Sequence, residues 1–201
     1  MRLVALSLLS VVLCQAATKN VTVLVNFEKP HSDVLVTALR RELRYLLEPA
    51  GIAVEVMLKS EMPVSPQFSE LVVFEMKGLC SMNAAPVVWG RSLSERGPLA
   101  FAYLSNGEIL HFGEVECDRV RLCLQRVTGG GSPEQHQAQY GAALAIVVAH
   151  EIYHMMAGSK QHTKDGLTKE SLSARELLDG ALSIPLVVRE TLRLGVLQSR
   201  R

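Results

Sequence analysis

The chain has 201 residues, 48% of them hydrophobic and 20% charged, which fits one domain and excludes disorder as a global description. Lys and Arg number 21 against 20 Asp and Glu, and only 5% of residues are aromatic. That balance excludes a general nucleic-acid binder, a base-stacking platform and a polybasic membrane-surface protein.

In chain order, Met1-Arg2 is a short positive segment, and Leu3 to Leu13 is apolar apart from serines. Cys14-Gln15-Ala16-Ala17 follows with small residues suited to cleavage. This layout predicts a secretory signal peptide over 1–16, with one domain over 17–201. The apolar run is well short of the roughly 20 residues that a spanning helix needs, so no membrane anchor is expected after cleavage. Loss of Arg2 would leave the chain formally neutral.

Val21–Phe27 is β-branched and reads as a strand. From Ser32 to Glu48 the residues Val34, Leu35, Ala38, Leu39, Leu43, Leu46 and Leu47 recur at helical spacing, and Pro49 and Gly51 stop the helix. Ile52–Leu58 and Leu71–Met76 read as further strands. Residues 77–98 form a long irregular connection with Gly78, Pro86, Gly90, Gly97 and Pro98. Leu99–Leu104 and Glu108–Val115 flank Ser105-Asn106-Gly107, a hairpin signal. A short helix is expected over Asp118–Val127, followed by three glycines. Ser132-Pro133-Glu134-Gln135 is a capping box with Pro at the first helical position. The helix it opens runs to about Ala157 and is apolar nearly all round from Tyr140, as befits a buried helix. Ser173-x-x-Glu176 opens a short helix, and Ser183-Ile184-Pro185 a last one to about Leu197. The expected class is α/β (α+β), with a mixed sheet of about four or five strands first and helices after.

Export implies an oxidising compartment, where cysteines pair. Cys80 and Cys117 each follow a strand, so their pairing is preferred; Cys117–Cys123 is the rival. In the first reading Cys123 is a buried thiol.

The chemistry sits at His150-Glu151-Ile152-Tyr153-His154, an HExxH sequence. Residues i and i+4 of a helix share a face, so His150 and His154 can bind one tetrahedral ion. Glu151 then lies beside the metal, where it can take a proton from a water that zinc has acidified. Two histidines and a glutamate in an apolar helix would be costly to bury without such a partner. The blander alternative is a pair of hydrogen-bonded core histidines.

With this motif the chain resembles the zincin metallopeptidases. The resemblance implies a catalytic domain with the HExxH helix beneath a substrate cleft, and an edge strand that pairs with an extended peptide. Either strand of the Leu99–Val115 hairpin is a candidate edge, with Ile109–Val115 preferred. Metzincins continue as HExxHxxGxxH, whereas here Ala157 holds the Gly position, Lys160 the third His position, and the spacing becomes HExxH-x7-H with His162. A methionine turn is also expected in metzincins, and no Met follows Met156. The chain therefore looks like a metzincin variant without that turn. Gly158 can reverse the chain so that Ser159–Gln161 return His162 to the metal. Gluzincins use a glutamate on a later helix instead, so Glu176, Glu170 and Asp165 remain alternatives as third ligand. Glu176 is also the capping partner of Ser173.

His111 could line the cleft or steady an oxyanion, but a surface role is the simpler reading. His136, in the first turn of the long helix, reads as solvated, His31 has no partner in view, Tyr153, Met155 and Met156 read as packing, and Ser171 and Ser173 lack a nucleophile-elbow pattern. The sequence thus predicts a secreted or periplasmic zinc-dependent peptidase that acts on a peptide or protein. The alternative is a secreted zinc-binding module that mediates protein interaction and hydrolyses nothing.

Overall fold

The computed structural model describes residues 19–83, 97–180, 182–186, 188–190 and 192. The expected signal peptide, most of the connection 77–98, and much of the last helix lie outside these residues. In chain order the elements are β1 (Lys19–Phe27), α1 (Asp33–Leu47), β2 (Ile52–Leu58), β3 (Leu71–Lys77), β4 (Ala100–Ser105), β5 (Glu108–Glu116), α2 (Cys117–Gln125), α3 (Pro133–Ala157) and α4 (Ala174–Asp179). The order is that of an α/β chain with a mixed sheet first and helices after.

The sheet runs β2-β1-β3-β5-β4. β2, β1, β3 and β5 are parallel neighbours, and β4 is antiparallel to β5. Strand periodicity decides which face is covered. Val21, Val23 and Val25 of β1, Ile52, Val54 and Val56 of β2, and Val72, Phe74 and Met76 of β3 are buried. Their neighbours Ala53 and Glu55 are exposed. Each such aliphatic side chain contributes roughly 1.5–3 kcal/mol on full burial.

Ser32 caps α1 by accepting a hydrogen bond from the Leu35 N–H. The apolar stripe of α1 then packs against α3. Gly141 permits the close crossing: a Cβ there would lie 2.3 Å from the Leu35 carbonyl oxygen and 2.9 Å from Ala38 Cβ. Gly113 of β5 does the same at the other end of α3, where a Cβ would lie 2.9 Å from Phe74 and 3.1 Å from Met155. These two glycines let α3 lie directly on α1 and the sheet.

The hairpin turn has Asn106 at φ 51° and Gly107 at φ 86°, as an Asn-Gly turn requires. Its strand roles differ from the expectation. β5, not β4, is the inner strand, with Phe74 opposite Gly113 on one side and Ala102 opposite Gly113 on the other. The preferred edge Ile109–Val115 is therefore corrected: of the two hairpin strands β4 is the edge, and β2 is the edge on the far side of the described sheet. The physical reason lies in the second half of β5, where Gly113 and Val115 are buried and paired on both sides. β4 ends in exposed Leu104 and Ser105.

Cys80 and Cys117 form a disulfide with a Cα–Cα distance of 4.9 Å. They follow adjacent parallel strands whose last paired residues are Lys77 and Glu116. Cys123 is free and half-buried, less enclosed than expected, and burial raises its thiol pKa. Among the described residues no helix is long and apolar enough to cross a membrane.

Candidate metal centre

α3 begins at Ser132, whose hydroxyl accepts from the Gln135 N–H while the Gln135 side chain accepts from the Ser132 N–H. It ends at Gly158, which adopts φ 57° and donates its N–H to the His154 carbonyl. The HExxH residues therefore occupy the last two turns, at the end of the helix whose dipole favours a cation.

The left-handed Gly158 turns the chain back. Its path brings His162 to the pair on α3, so that ligand atoms of His150, His154 and His162 all lie within 4.8 Å of one another. His154 Nε2 is 3.0 Å from His150 Nε2 and 3.2 Å from His162 Nε2. A tetrahedral zinc ion with Zn–N bonds of about 2.0–2.1 Å spaces its nitrogens by about 3.3 Å.

The opposite ring atoms explain this aim. His150 Nδ1 lies 2.9 Å from the Leu167 carbonyl oxygen, and His154 Nδ1 lies 2.6 Å from that of Ser159. A carbonyl only accepts, so each Nδ1 carries the proton and each Nε2 presents a lone pair. Facing lone pairs repel unless a proton or cation lies between them. Three convergent imidazoles with two tautomers set from behind are a donor set that fits zinc. Burial also holds the rings neutral, the ligating form: His150 is lowered to about 4 and His154 is lowered too, against the opposing effect of their carbonyl partners.

Glu151 is only 8% exposed. Burial pushes its carboxyl up to about 7, opposed by a hydrogen bond from the Ala102 N–H of β4. This contact joins the candidate base to the edge strand. A cleft of about 430 Å³ opens over the site, walled by Ala102, Leu104, Val147, Lys160, Glu170 and Leu172 among others.

The other candidates do not join the three histidines. Glu176 accepts from the Ser173 N–H at 2.8 Å, the Ser173 hydroxyl at 2.7 Å and Lys169 Nζ at 2.6 Å. Lys169 first, then Ser173, lower its pKa to about 2. Its capping role thus occupies the carboxylate. Glu170 lines the cleft and Asp165 is exposed, and neither joins the histidine cluster. His111 Nδ1 is 2.8 Å from Glu70 Oε1 on the surface. His136 contacts the Gly130 carbonyl, and His31 stacks on Phe27. Tyr153 packs as expected, and its hydroxyl also donates to the Gln161 carbonyl at 3.3 Å, steadying the return toward His162. Sequence reasoning missed the Leu167 and Ser159 carbonyls and the Ala102 amide, because backbone groups carry no residue signature.

No family model matches this chain, and no curated protein matches it in sequence. Among solved structures, the crystal structure of archaemetzincin from Methanopyrus kandleri is similar at 11% identity and a TM-score of 0.49, covering 92% of this chain and 98% of that one.

Proposed function

We propose that this chain is an exported zinc-dependent peptidase. The observation that carries the reading is the convergence of three imidazole Nε2 atoms beside buried Glu151 at the floor of an open cleft. His150, His154 and His162 would hold the ion. When bound, zinc supplies Lewis acidity and an acidified water.

The chain's own groups do the rest. The Leu167 and Ser159 carbonyls fix the rings of His150 and His154. Glu151, anchored by the Ala102 N–H, takes a proton from water and returns it to the departing amine. Burial favours the protonated carboxyl while a bound cation would favour the carboxylate, opposing effects that suit a group that must both accept and donate. The edge of β4 offers backbone groups to an extended peptide. Export rests on the sequence of residues 1–16, and the Cys80–Cys117 disulfide supports an oxidising compartment. Mass spectrometry of the exported protein is expected to find Ala17 at its N-terminus.

The test compares the wild type with Glu151→Gln for zinc content and for cleavage of an unfolded protein. Both should carry one zinc per chain, and the variant should lose about 10²–10⁴-fold in rate. Zinc in both with cleavage by neither would favour the non-hydrolytic binding module. Full activity of Glu151→Gln would remove Glu151 from the mechanism.

A further inference from the structure

We propose that the hydroxyl pair of Thr163 and Thr168 is a positioning device for the metal ligands His150 and His162. The inference rests on the reading of His150, His154 and His162 as a metal site. It assigns a role to the turn that follows them.

Thr163 is the residue after His162, and Thr168 is the residue after Leu167, whose carbonyl orients His150. One closure therefore connects two ligands. The Thr163 N–H donates to the Thr168 carbonyl at 3.0 Å, and an isolated parallel bridge joins Thr163 to Lys169. The two hydroxyl oxygens lie 2.6 Å apart. Thr163 Oγ1 donates to the Asp165 carbonyl at 2.8 Å. A hydroxyl has one proton, so Thr168 must donate to Thr163. Thr168 is 0% exposed, and its hydroxyl has no recourse to water.

The far side of the turn is pinned independently. The Leu167 side chain is fully buried and its N–H donates to the Ser183 carbonyl at 3.1 Å. Gly166 at φ 77° lets this contact form, since a Cβ there would lie 2.5 Å from the Ser183 oxygen. With Leu167 pinned, the hydroxyl pair sets where His162 leaves the turn. His162 is exposed, unlike His154, and its ring meets the rings of His150 and His154, so its approach depends on the path of the turn that carries it. Outer contacts that orient ligands act this way in metal sites generally.

The roles are unequal, which sharpens the test. Thr163→Val removes the acceptor of a buried hydroxyl and leaves it unpaired. Thr168→Val removes only the donor, and Thr163 keeps Asp165. Zinc affinity is read by competition with a chromophoric chelator, and ligand geometry by the visible spectrum of the cobalt-substituted protein. Thr163→Val is expected to weaken zinc binding by about 10–100-fold and to alter the cobalt bands. Thr168→Val should lose less, and Thr163→Ser should restore both readouts. Melting of the metal-free protein should fall by a few degrees in Thr163→Val, as an unpaired buried hydroxyl requires, and change little in Thr168→Val and Thr163→Ser.

Zinc binding by Thr163→Val within about threefold of the wild type overturns the proposal, given the usual size of outer-contact effects. So does a loss of affinity that tracks a fall in metal-free melting and that Ser does not rescue. If Thr163→Val does not fold, Thr168→Val with unaltered cobalt bands overturns it equally. A wild type that binds no zinc would instead refute the metal-site reading itself, so the two failures are distinct.

Discussion

In the β1–α1–β2 unit, Val21, Val23, Leu35, Leu39, Leu43 and Ile52 are held by side-chain packing, each at most 1% exposed. The turn from Gly158 to Lys169 is held mainly by hydrogen bonds to backbone carbonyls and hydroxyls. Packing is shared among many neighbours and fails by degrees, whereas a hydrogen bond that sets a ligand has one geometry. Lesions in the first region should therefore register as stability, and lesions in the second as metal affinity.

The Glu151→Gln comparison gives the largest expected effect and separates chemistry from both. Next comes the scaffold. Leu39→Ala should lower unfolding free energy by about 2–5 kcal/mol, measured by urea denaturation. Zinc affinity of the folded fraction should stay at the wild-type value, and a parallel loss would dissolve the distinction between the regions. Chelation of zinc should then lower stability by about 2.7 kcal/mol relative to protein held at a hundredfold excess over Kd. Far-UV circular dichroism should persist, because the core does not include the metal.

The smallest effect concerns pH. Glu176 is depressed to about 2 in the folded chain against an ordinary value of 4.5. Its contribution is thus complete above pH 4.5 and is lost as pH falls from 4.5 through 2. Glu176→Gln should flatten the acid limb of the melting curve in that window. An unchanged limb would mean that the Lys169 and Ser173 contacts do not persist in solution.

Much of the scaffold was legible because local rules and burial agree there. Ser132 with Gln135, Ser173 with Glu176, and Asn106-Gly107 announce their caps and turn by side-chain chemistry. His150 and His154 were legible through helical spacing, and Gly158 signalled the reversal toward His162. The edge strand was not legible. Leu99–Leu104 and Glu108–Val115 carry similar apolar residues, and only pairing with β3 makes β5 the inner strand. The Leu167 and Ser159 carbonyls were invisible for another reason, since any residue could supply them. Thr163 and Thr168 belong to no motif, and only the folded turn brings their hydroxyls together.

His162, rather than a later carboxylate, is the proposed third ligand beside His150 and His154. Zinc titration of the metal-free wild type beside His162→Ala and Glu176→Gln tests it most directly. One zinc per chain is expected for wild type and Glu176→Gln at equal affinity, with binding sharply weakened in His162→Ala. Unweakened binding in His162→Ala, or its loss in Glu176→Gln, would contradict it.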